Sequence, residues 1–246
     1  MDATTFSVEF KVFDEQIKAE IPLSAEPIRS IELLPILQQL SDSFVEFSIK
    51  KINQDGKSIT CKSGCAACCR QLVRITESES YLLYELIETM PKKRRNAIWQ
   101  RFDDAIEILE ELGLIEPLED INDMSSEENQ DLDEKYFNLK IPCPFLEKET
   151  CSIYHNRPLA CREYLVTSSA DNCSNPFQET IERVPLAGGI SVVAAQIDEP
   201  LHSGYVRYVP LILAPILAEE SPDESQVRIA SEMLTVMFER LRTTAI

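Results

Sequence analysis

The residues most able to do chemistry are eight cysteines, all of which lie between positions 61 and 173. Four are packed into CKSGCAACC and four are spread along the chain; they are Cys61, Cys65, Cys68, Cys69, Cys143, Cys151, Cys161 and Cys173. Thiolates are the soft ligands that select zinc or iron–sulfur clusters. The spacing from Cys65 to Cys68 lets two sulfurs of a tight turn reach one metal, and Gly64 allows that turn. The pattern therefore predicts a metal centre bound by cysteines.

The adjacent pair Cys68 and Cys69 limits how the ligands can be shared. Neighbouring side chains point about 100° apart on a helix and to opposite faces of a strand. Either the two sulfurs serve different metals, or one binds metal and the other packs. Eight thiolates also divide into two sets of four, the ligand number of a structural zinc or a cubane cluster, but the spacing does not assign them. Since His155 and His202 are the only histidines, the ligands are essentially all sulfur, and we expect His155 in a turn.

The second half of the cysteine region has its own pattern. In PCPFL the flanking prolines hold Cys143 in an extended backbone. The stretch CSIYHNRPLACREY places Cys151 and Cys161 on either side of a turn. Arg70 and Arg162 each directly follow a cysteine. Their guanidiniums are expected either to compensate the negative charge of a thiolate centre or to form ordinary surface ion pairs.

The motifs CxxxGCAACCR, PCPFLE and CSIYHNRPLACREY, with a last cysteine, together resemble the YkgJ-type cysteine-cluster family, the CxxCxxCC domain, over about residues 57–185. That family is described as chelating zinc or iron and is often labelled as containing iron–sulfur clusters. The resemblance implies that all eight cysteines, which match in order, bind metal. It implies an iron–sulfur cluster, for example of the 4Fe–4S type, or zinc as the cofactor, and the family label favours the former. The chain departs from many members in having three residues between Cys61 and Cys65 instead of two.

Two enzyme classes are alternatives to a structural or redox metal protein. The spacing of Cys61, Cys65 and Cys68 also matches radical SAM enzymes, but Ala67 stands where that superfamily usually has an aromatic residue, and the strand–helix alternation of its barrel is missing. Flagellin lysine N-methylases are similar in carrying this cysteine-cluster domain, and such an enzyme would explain an acidic groove for lysine-bearing substrates. No glycine-rich SAM loop accompanies it, since the six glycines form no GxGxxG or GxxxxGK stretch. The sequence leaves open whether the protein catalyses a reaction.

The charge of the chain is strongly acidic and unevenly distributed. It has 42 acidic and 24 basic residues, a formal net charge of −18, and residues 103–134 hold fourteen of the acids and no Lys or Arg. Such a chain lacks the clustered cations that bind nucleic-acid phosphates or anionic membranes. Segment 103–134 is interpreted as a solvated surface or, alternatively, as a docking surface for a cationic protein partner.

The start of the sequence, MDATTFSVEFKVFDEQ, has neither the basic nor the apolar region of a signal peptide. No apolar run approaches the roughly 18 residues that a membrane span needs. We therefore expect a cytoplasmic protein with reduced thiols. In that setting grouped cysteines indicate metal or redox chemistry rather than disulfides.

Hydrophobic periodicity predicts the elements around the cysteines. Alternation over residues 6–12 and 17–21, with a polar break at Asp14 and Glu15, predicts an antiparallel hairpin, and helical spacing predicts a helix over 31–53. Two helices open with capping boxes; the pairs are Thr76–Glu79 and Ser125–Glu128.

Local signals also predict two further helices. Pro91 begins a helix that ends at Gly113. Ser221, followed by Pro222 and Glu224, predicts the start of the last one.

These elements predict an α+β fold that is mainly α-helical, with a small N-terminal β-hairpin and an irregular cysteine-rich module. We expect a single domain over 1–246. The cysteine module would occupy about 57–185, interrupted by a helical insertion at 76–138. Residues 186–246 would form a C-terminal helical part.

Overall fold

A computed structural model describes residues 3–12, 15–198, 207–221, 223 and 225–244. It confirms a mainly helical α+β protein. The α-helices are α1 (Ser30–Gln54), α2 (Glu77–Glu88), α3 (Lys92–Glu111), α4 (Ile115–Glu119), α5 (Ser126–Asn138), α6 (Leu159–Glu163), α7 (Ile190–Asp198), α8 (Ala214–Glu220) and α9 (Ala230–Thr244). The strands are β1 (Ala3–Val12), β2 (Glu15–Ser24), β3 (Arg74–Ile75), β4 (Leu146–Glu147), β5 (Thr150–Cys151) and β6 (Val209–Pro210). None of the helices in these ranges has the length and apolar content that crossing a bilayer requires.

The predicted N-terminal hairpin is confirmed. β1 and β2 pair antiparallel, with Phe6 opposite Ile21. Because side chains alternate between the two faces of a strand, Phe10 and Ile21 fall on the same buried side. The polar break is predicted at Asp14 and Glu15; Asp14 lies outside the described residues, and Glu15 already begins β2.

A first hydrophobic core lies between this hairpin and helices α1, α7 and α9. The ring of Phe10 packs against Phe44 of α1 and Phe238 of α9, with centroids 5.3 Å and 5.1 Å away. Gly188, just before α7, allows this close packing, since a Cβ atom there would lie 2.8 Å from the Phe44 ring. Any side chain at position 188 would therefore displace that ring in a close-packed interior.

A second hydrophobic core is built by α2–α5 with residues from 141–153 and 209–214. Phe102 and Phe145 meet at its centre, edge to face, with centroids 5.6 Å apart. β3 pairs antiparallel with β6, so that Ile75 lies opposite Val209. Residues 209–214, near the end of the chain, thus pack against helices α2–α5.

The predicted capping boxes are both present. The Glu79 N–H donates to the Thr76 hydroxyl at 3.1 Å, and the Thr76 N–H donates to the Glu79 carboxylate at 2.9 Å. Ser125 and Glu128 make the same reciprocal pair before α5, at 3.3 Å and 2.8 Å. Pro91 directly precedes α3 rather than being its first residue.

The helix start predicted at Ser221 is wrong. Ser221 instead ends α8, where its N–H donates to the carbonyl of Leu217 at 3.1 Å. The last helix begins later, at Ala230, because Arg228 exchanges two backbone hydrogen bonds of 2.8 Å with Ile28. This tertiary pairing overrides the local capping signal. Pro222 and Glu224, the other parts of that signal, lie outside the described residues.

Candidate metal centre

The first cysteine segment is a turn followed by a short 3₁₀-helix. Gly64 has a φ of 84°, a left-handed conformation that favours glycine. The Cys65 N–H donates to the Lys62 carbonyl at 3.0 Å and closes the turn. The 3₁₀-helix Ala67–Arg70 then carries Cys68 and Cys69. The tight turn predicted from the spacing is therefore present.

The second cysteine segment lies directly against the first. The Cys143 N–H donates to the Cys69 carbonyl at 2.7 Å, and the Leu146 N–H donates to the Cys143 carbonyl at 2.7 Å. Leu146 in turn pairs with Cys151 in the β4–β5 hairpin. Backbone hydrogen bonds thus bring Cys69, Cys143 and Cys151 to one place, and the hairpin was not predicted from the sequence.

Helix α6 carries Cys161 and is held by a buried carboxylate from α2. Glu79, only 2% exposed, accepts hydrogen bonds from the Leu159 N–H at 2.7 Å and from the Thr76 N–H. One side chain therefore caps α2 and positions α6. Helix α6 is also held by α1, because Nη1 of Arg162 donates to both carboxylate oxygens of Asp42, at 2.9 Å and 2.7 Å.

Cys61 and Cys173 come from two further segments, which are joined by hydrogen bonds. The Thr60 N–H donates to the Val166 carbonyl at 3.1 Å, and the Thr60 hydroxyl donates to the Ser168 carbonyl. Cys173 is buried in the 3₁₀-helix Ala170–Ser174, which contacts the 3₁₀-helix that carries Cys68 and Cys69. The 3₁₀-helix with Cys68 and Cys69 is therefore next to both the Cys143 segment and the 3₁₀-helix that carries Cys173.

The adjacent thiols of Cys68 and Cys69 interact directly. A hydrogen bond from the Cys69 thiol lowers the pKa of Cys68 to about 7, and the Arg157 guanidinium adds to this effect. The same hydrogen bond, followed by burial and by the Cys68 thiolate, raises the pKa of Cys69 far above its usual range. The two thiols thus influence each other's ionisation, although the side chains of consecutive residues point in different directions.

The other thiols are made less acidic by burial and by one another. Burial is the main reason that the pKa of Cys143 rises to about 12, and the thiolates of Cys151 and Cys68 raise it further. Burial and then Cys143 and Cys68 raise the pKa of Cys161. Thiolates that hinder one another's ionisation form a donor set that a bound cation would stabilise.

The first two cysteines and Cys173 influence each other in the same way. Burial raises the pKa of Cys173, and the thiolates of Cys61, Cys65 and Cys68 raise it further. Burial also raises the pKa of Cys61, with Cys68 and Cys65 as its charged thiol neighbours. These thiols are therefore close to each other in the folded chain.

Both arginines singled out in the sequence form ion pairs with carboxylates. Arg70 donates two hydrogen bonds to Glu149, at 2.8 Å and 3.0 Å, across to the β4–β5 hairpin. Arg162 is 4% exposed and pairs with Asp42. Each ion pair joins separate segments of the cysteine region or its surroundings. The Cys69 thiolate also contributes, after Glu149, to raising the pKa of Arg70.

Arg157 is the cation that acts on two thiols at once. Its guanidinium lowers the pKa of Cys68, after the hydrogen bond from Cys69, and opposes the burial that raises the pKa of Cys151. It stacks over the ring of Tyr154 at 4.0 Å, and its Nε is buried with no hydrogen-bond partner. The sequence predicts only that Arg157 lies in the turn between Cys151 and Cys161. Its position along the chain does not show which thiols its charge acts on.

The donor set is all sulfur. All eight cysteines are free thiols. His155 lies exposed in the 3₁₀-helix Tyr154–Asn156, as expected for a turn residue, and His202 lies outside the described residues. Within the described ranges, no three side chains of His, Cys, Asp or Glu already converge as a metal site. The role of the eight cysteines as ligands therefore stays a prediction.

Residues 60–181 match the model of a protein family, CxxCxxCC, that is described as a "putative zinc- or iron-chelating domain". The match begins one residue before Cys61 and ends after Cys173, so it contains all eight cysteines. No curated protein and no solved structure matches the chain.

Proposed function

We propose that the cysteines of this protein bind zinc or an iron–sulfur cluster, because the chain belongs to the CxxCxxCC family through residues 60–181. The ligands are Cys61, Cys65, Cys68, Cys69, Cys143, Cys151, Cys161 and Cys173. The observation that carries the proposal is the 2.7 Å backbone hydrogen bond from Cys143 to Cys69, which joins cysteines from the two distant parts of the sequence. Thiolates are the ligands that both metals accept.

A structural or electron-transfer role agrees best with this donor set. Catalysis at a metal usually needs an open coordination position, whereas four thiolates on one zinc ion, or one thiolate on each iron of a cubane cluster, leave none. Zinc would supply cross-links between the segments, and an iron–sulfur cluster would add one-electron chemistry. The protein itself holds the thiols in place through the turn at Gly64, the β4–β5 hairpin and helix α6. We favour iron–sulfur over zinc because of the wider family's labels, and a cytoplasmic location because reduced thiols persist there.

The test is metal analysis of the full-length protein purified without oxygen. We expect iron or zinc in stoichiometric amount, and an absorbance band near ~400 nm if the metal is an iron–sulfur cluster. Cys68→Ser should lower the metal content, because it removes one soft ligand. Ser63→Ala changes an exposed residue of the same segment and should leave the content unchanged. Wild-type protein that contains neither metal would contradict the proposal.

A further inference from the structure

We infer that the eight cysteines form two adjacent four-thiolate sites, a deepening that rests on the proposed metal binding. The first site consists of Cys61, Cys65, Cys68 and Cys173. The second site consists of Cys69, Cys143, Cys151 and Cys161. Four thiolates complete the tetrahedral coordination of a structural zinc or the corners of a cubane cluster.

The backbone assembles most of the second site. The Cys143 N–H is bonded to the Cys69 carbonyl, and the Leu146 N–H to the Cys143 carbonyl, both at 2.7 Å. Cys151 lies opposite Leu146 across the β4–β5 hairpin. Three cysteines are therefore brought together by two successive hydrogen bonds and by the pairing of β4 with β5, independently of how their side chains are turned.

Cys161 joins this second group through the position of α6. The Glu79 carboxylate holds the first residue of α6, Leu159, at 2.7 Å. Arg162, the residue after Cys161, donates hydrogen bonds to the backbone carbonyls of Arg157 and His155, in the turn that follows Cys151. These bonds hold α6 beside the segment that carries Cys151.

A separate set of contacts assembles the first site. Thr60, next to Cys61, is hydrogen-bonded to the carbonyls of Val166 and Ser168, which lead into the 3₁₀-helix of Cys173. That helix contacts the 3₁₀-helix Ala67–Arg70. The thiol neighbours of Cys173 are Cys61, Cys65 and Cys68. The chain thus brings Cys61, Cys65 and Cys173 together on one side.

The adjacent pair supplies one ligand to each site. A 3₁₀-helix has about three residues per turn, so consecutive side chains point about 120° apart. The carbonyl of Cys69 accepts the hydrogen bond from the Cys143 N–H, so Cys69 belongs to the second site. Cys68 is then the fourth ligand of the first site. Because Cys68 and Cys69 are consecutive residues of one 3₁₀-helix, the two metals would be close neighbours.

The experiment compares double variants that remove the same number of thiols. Reduced, metal-free protein is titrated anaerobically with Zn²⁺ alone, and zinc per chain is counted by native mass spectrometry in the presence of a competing chelator. The wild type should bind about two zinc ions. Cys61→Ser/Cys65→Ser removes two ligands of the first site and should retain about one. Cys143→Ser/Cys151→Ser, in the second site, should likewise retain about one.

The decisive variant is Cys65→Ser/Cys151→Ser, which leaves no intact site and should hold no zinc against the chelator. Equal zinc retention by all three double variants would overturn the division, as would a wild type that binds a single zinc. A wild type that binds no zinc in this titration overturns the division. If the anaerobically purified protein also contains neither iron nor zinc, the proposed function is overturned as well, so the two failures are distinguishable. The two within-site variants serve as checks on each other if one of them folds poorly.

Discussion

Arg157 acts on one thiol of each of the two sites proposed here. Its guanidinium lowers the pKa of Cys68 in the first site and opposes the burial that raises the pKa of Cys151 in the second. Two tetrathiolate zinc sites would each carry a charge of about −2, because four thiolates outweigh one divalent cation. A cation shared between them is the compensation that such a pair needs, and stacking on Tyr154 fixes its orientation.

Arg157→Gln should weaken zinc binding about 10- to 100-fold, the range for loss of a group that supports metal ligands. The reason is that the variant leaves the adjacent thiolates without their counter-charge. The measurement is competition with a chromogenic chelator at fixed pH. Lys62→Gln removes the same charge from an exposed position within the first cysteine segment and should change affinity much less. Equal losses in both variants would show a general charge effect and would contradict the role of Arg157.

Helix α6 attaches the cysteine region to the first core. Arg162 pairs with Asp42 of α1, and Glu163 accepts hydrogen bonds from the Ser191 N–H of α7 at 3.1 Å and the Ser41 hydroxyl at 3.3 Å. Two consecutive side chains of α6 thus reach two helices of the first core. The position of Cys161 therefore depends on residues far outside the cysteine motifs.

Asp42→Ala should lower the free energy of unfolding by about 1–3 kcal/mol, because the buried Arg162 guanidinium loses its carboxylate partner. The measurement is urea unfolding followed by circular dichroism. Glu46→Ala removes the same charge from an exposed site on the same helix and should change the stability by less than about 0.5 kcal/mol. A destabilisation by Asp42→Ala that is no larger than this control would contradict the role of the ion pair.

The elements that could be predicted from sequence are those whose signals are local. The capping boxes at Thr76 and Ser125 start helices because a side chain and a backbone group three residues apart satisfy each other. The helix start at Ser221 failed because the pairing of Arg228 with Ile28 is a long-range contact. The β4–β5 hairpin was missed for a different reason, since its turn uses Lys148 and Glu149 at φ values of 51° and 57° rather than glycine or asparagine.

For the candidate site, residue types were predictable and partners were not. The vicinal pair Cys68–Cys69 already implied that the two thiols bind different metals or that one binds metal and the other packs, because the side chains of consecutive residues point in different directions. Which cysteines share a site with Cys68 and which with Cys69 depends on contacts between the segments before residue 70 and after residue 142. The spacing of the cysteines along the chain does not encode those contacts.

At the scale of the whole molecule, the acidic segment 103–134 is not a separate arm. It forms the end of α3, α4 and most of α5, and Leu109, Leu118 and Leu132 from it are buried in the second core. Its acids therefore lie on the outer side of helices that the core requires, as a solvated surface would. A cationic partner on this surface stays a prediction, as does the division of the chain into a cysteine module and a C-terminal helical part.

Removing the metal should loosen the cysteine region selectively. At a metal concentration about 100 times the Kd, binding contributes about 2.7 kcal/mol. Chelation should therefore speed amide exchange up to about 100-fold in residues 60–71 and 141–174, as measured by hydrogen-exchange mass spectrometry. Helices α1 and α9 serve as internal controls, because the first core contains none of the eight thiols. A uniform increase along the chain, or none in the cysteine region, would contradict this expectation.

The hydrogen bond between Cys143 and Cys69 also has a consequence for the order of folding. Closing a loop as long as residues 70–142 in an unfolded chain carries an entropy cost that grows with the logarithm of its length. Helices α2–α5 lie within that loop and form from local contacts, which are made early. Their packing brings the two ends together before the thiols need to meet. During synthesis, however, Cys61–Cys69 leave the ribosome well ahead of Cys143, so the first four thiols pass through an interval in which oxidants and foreign metals can reach them.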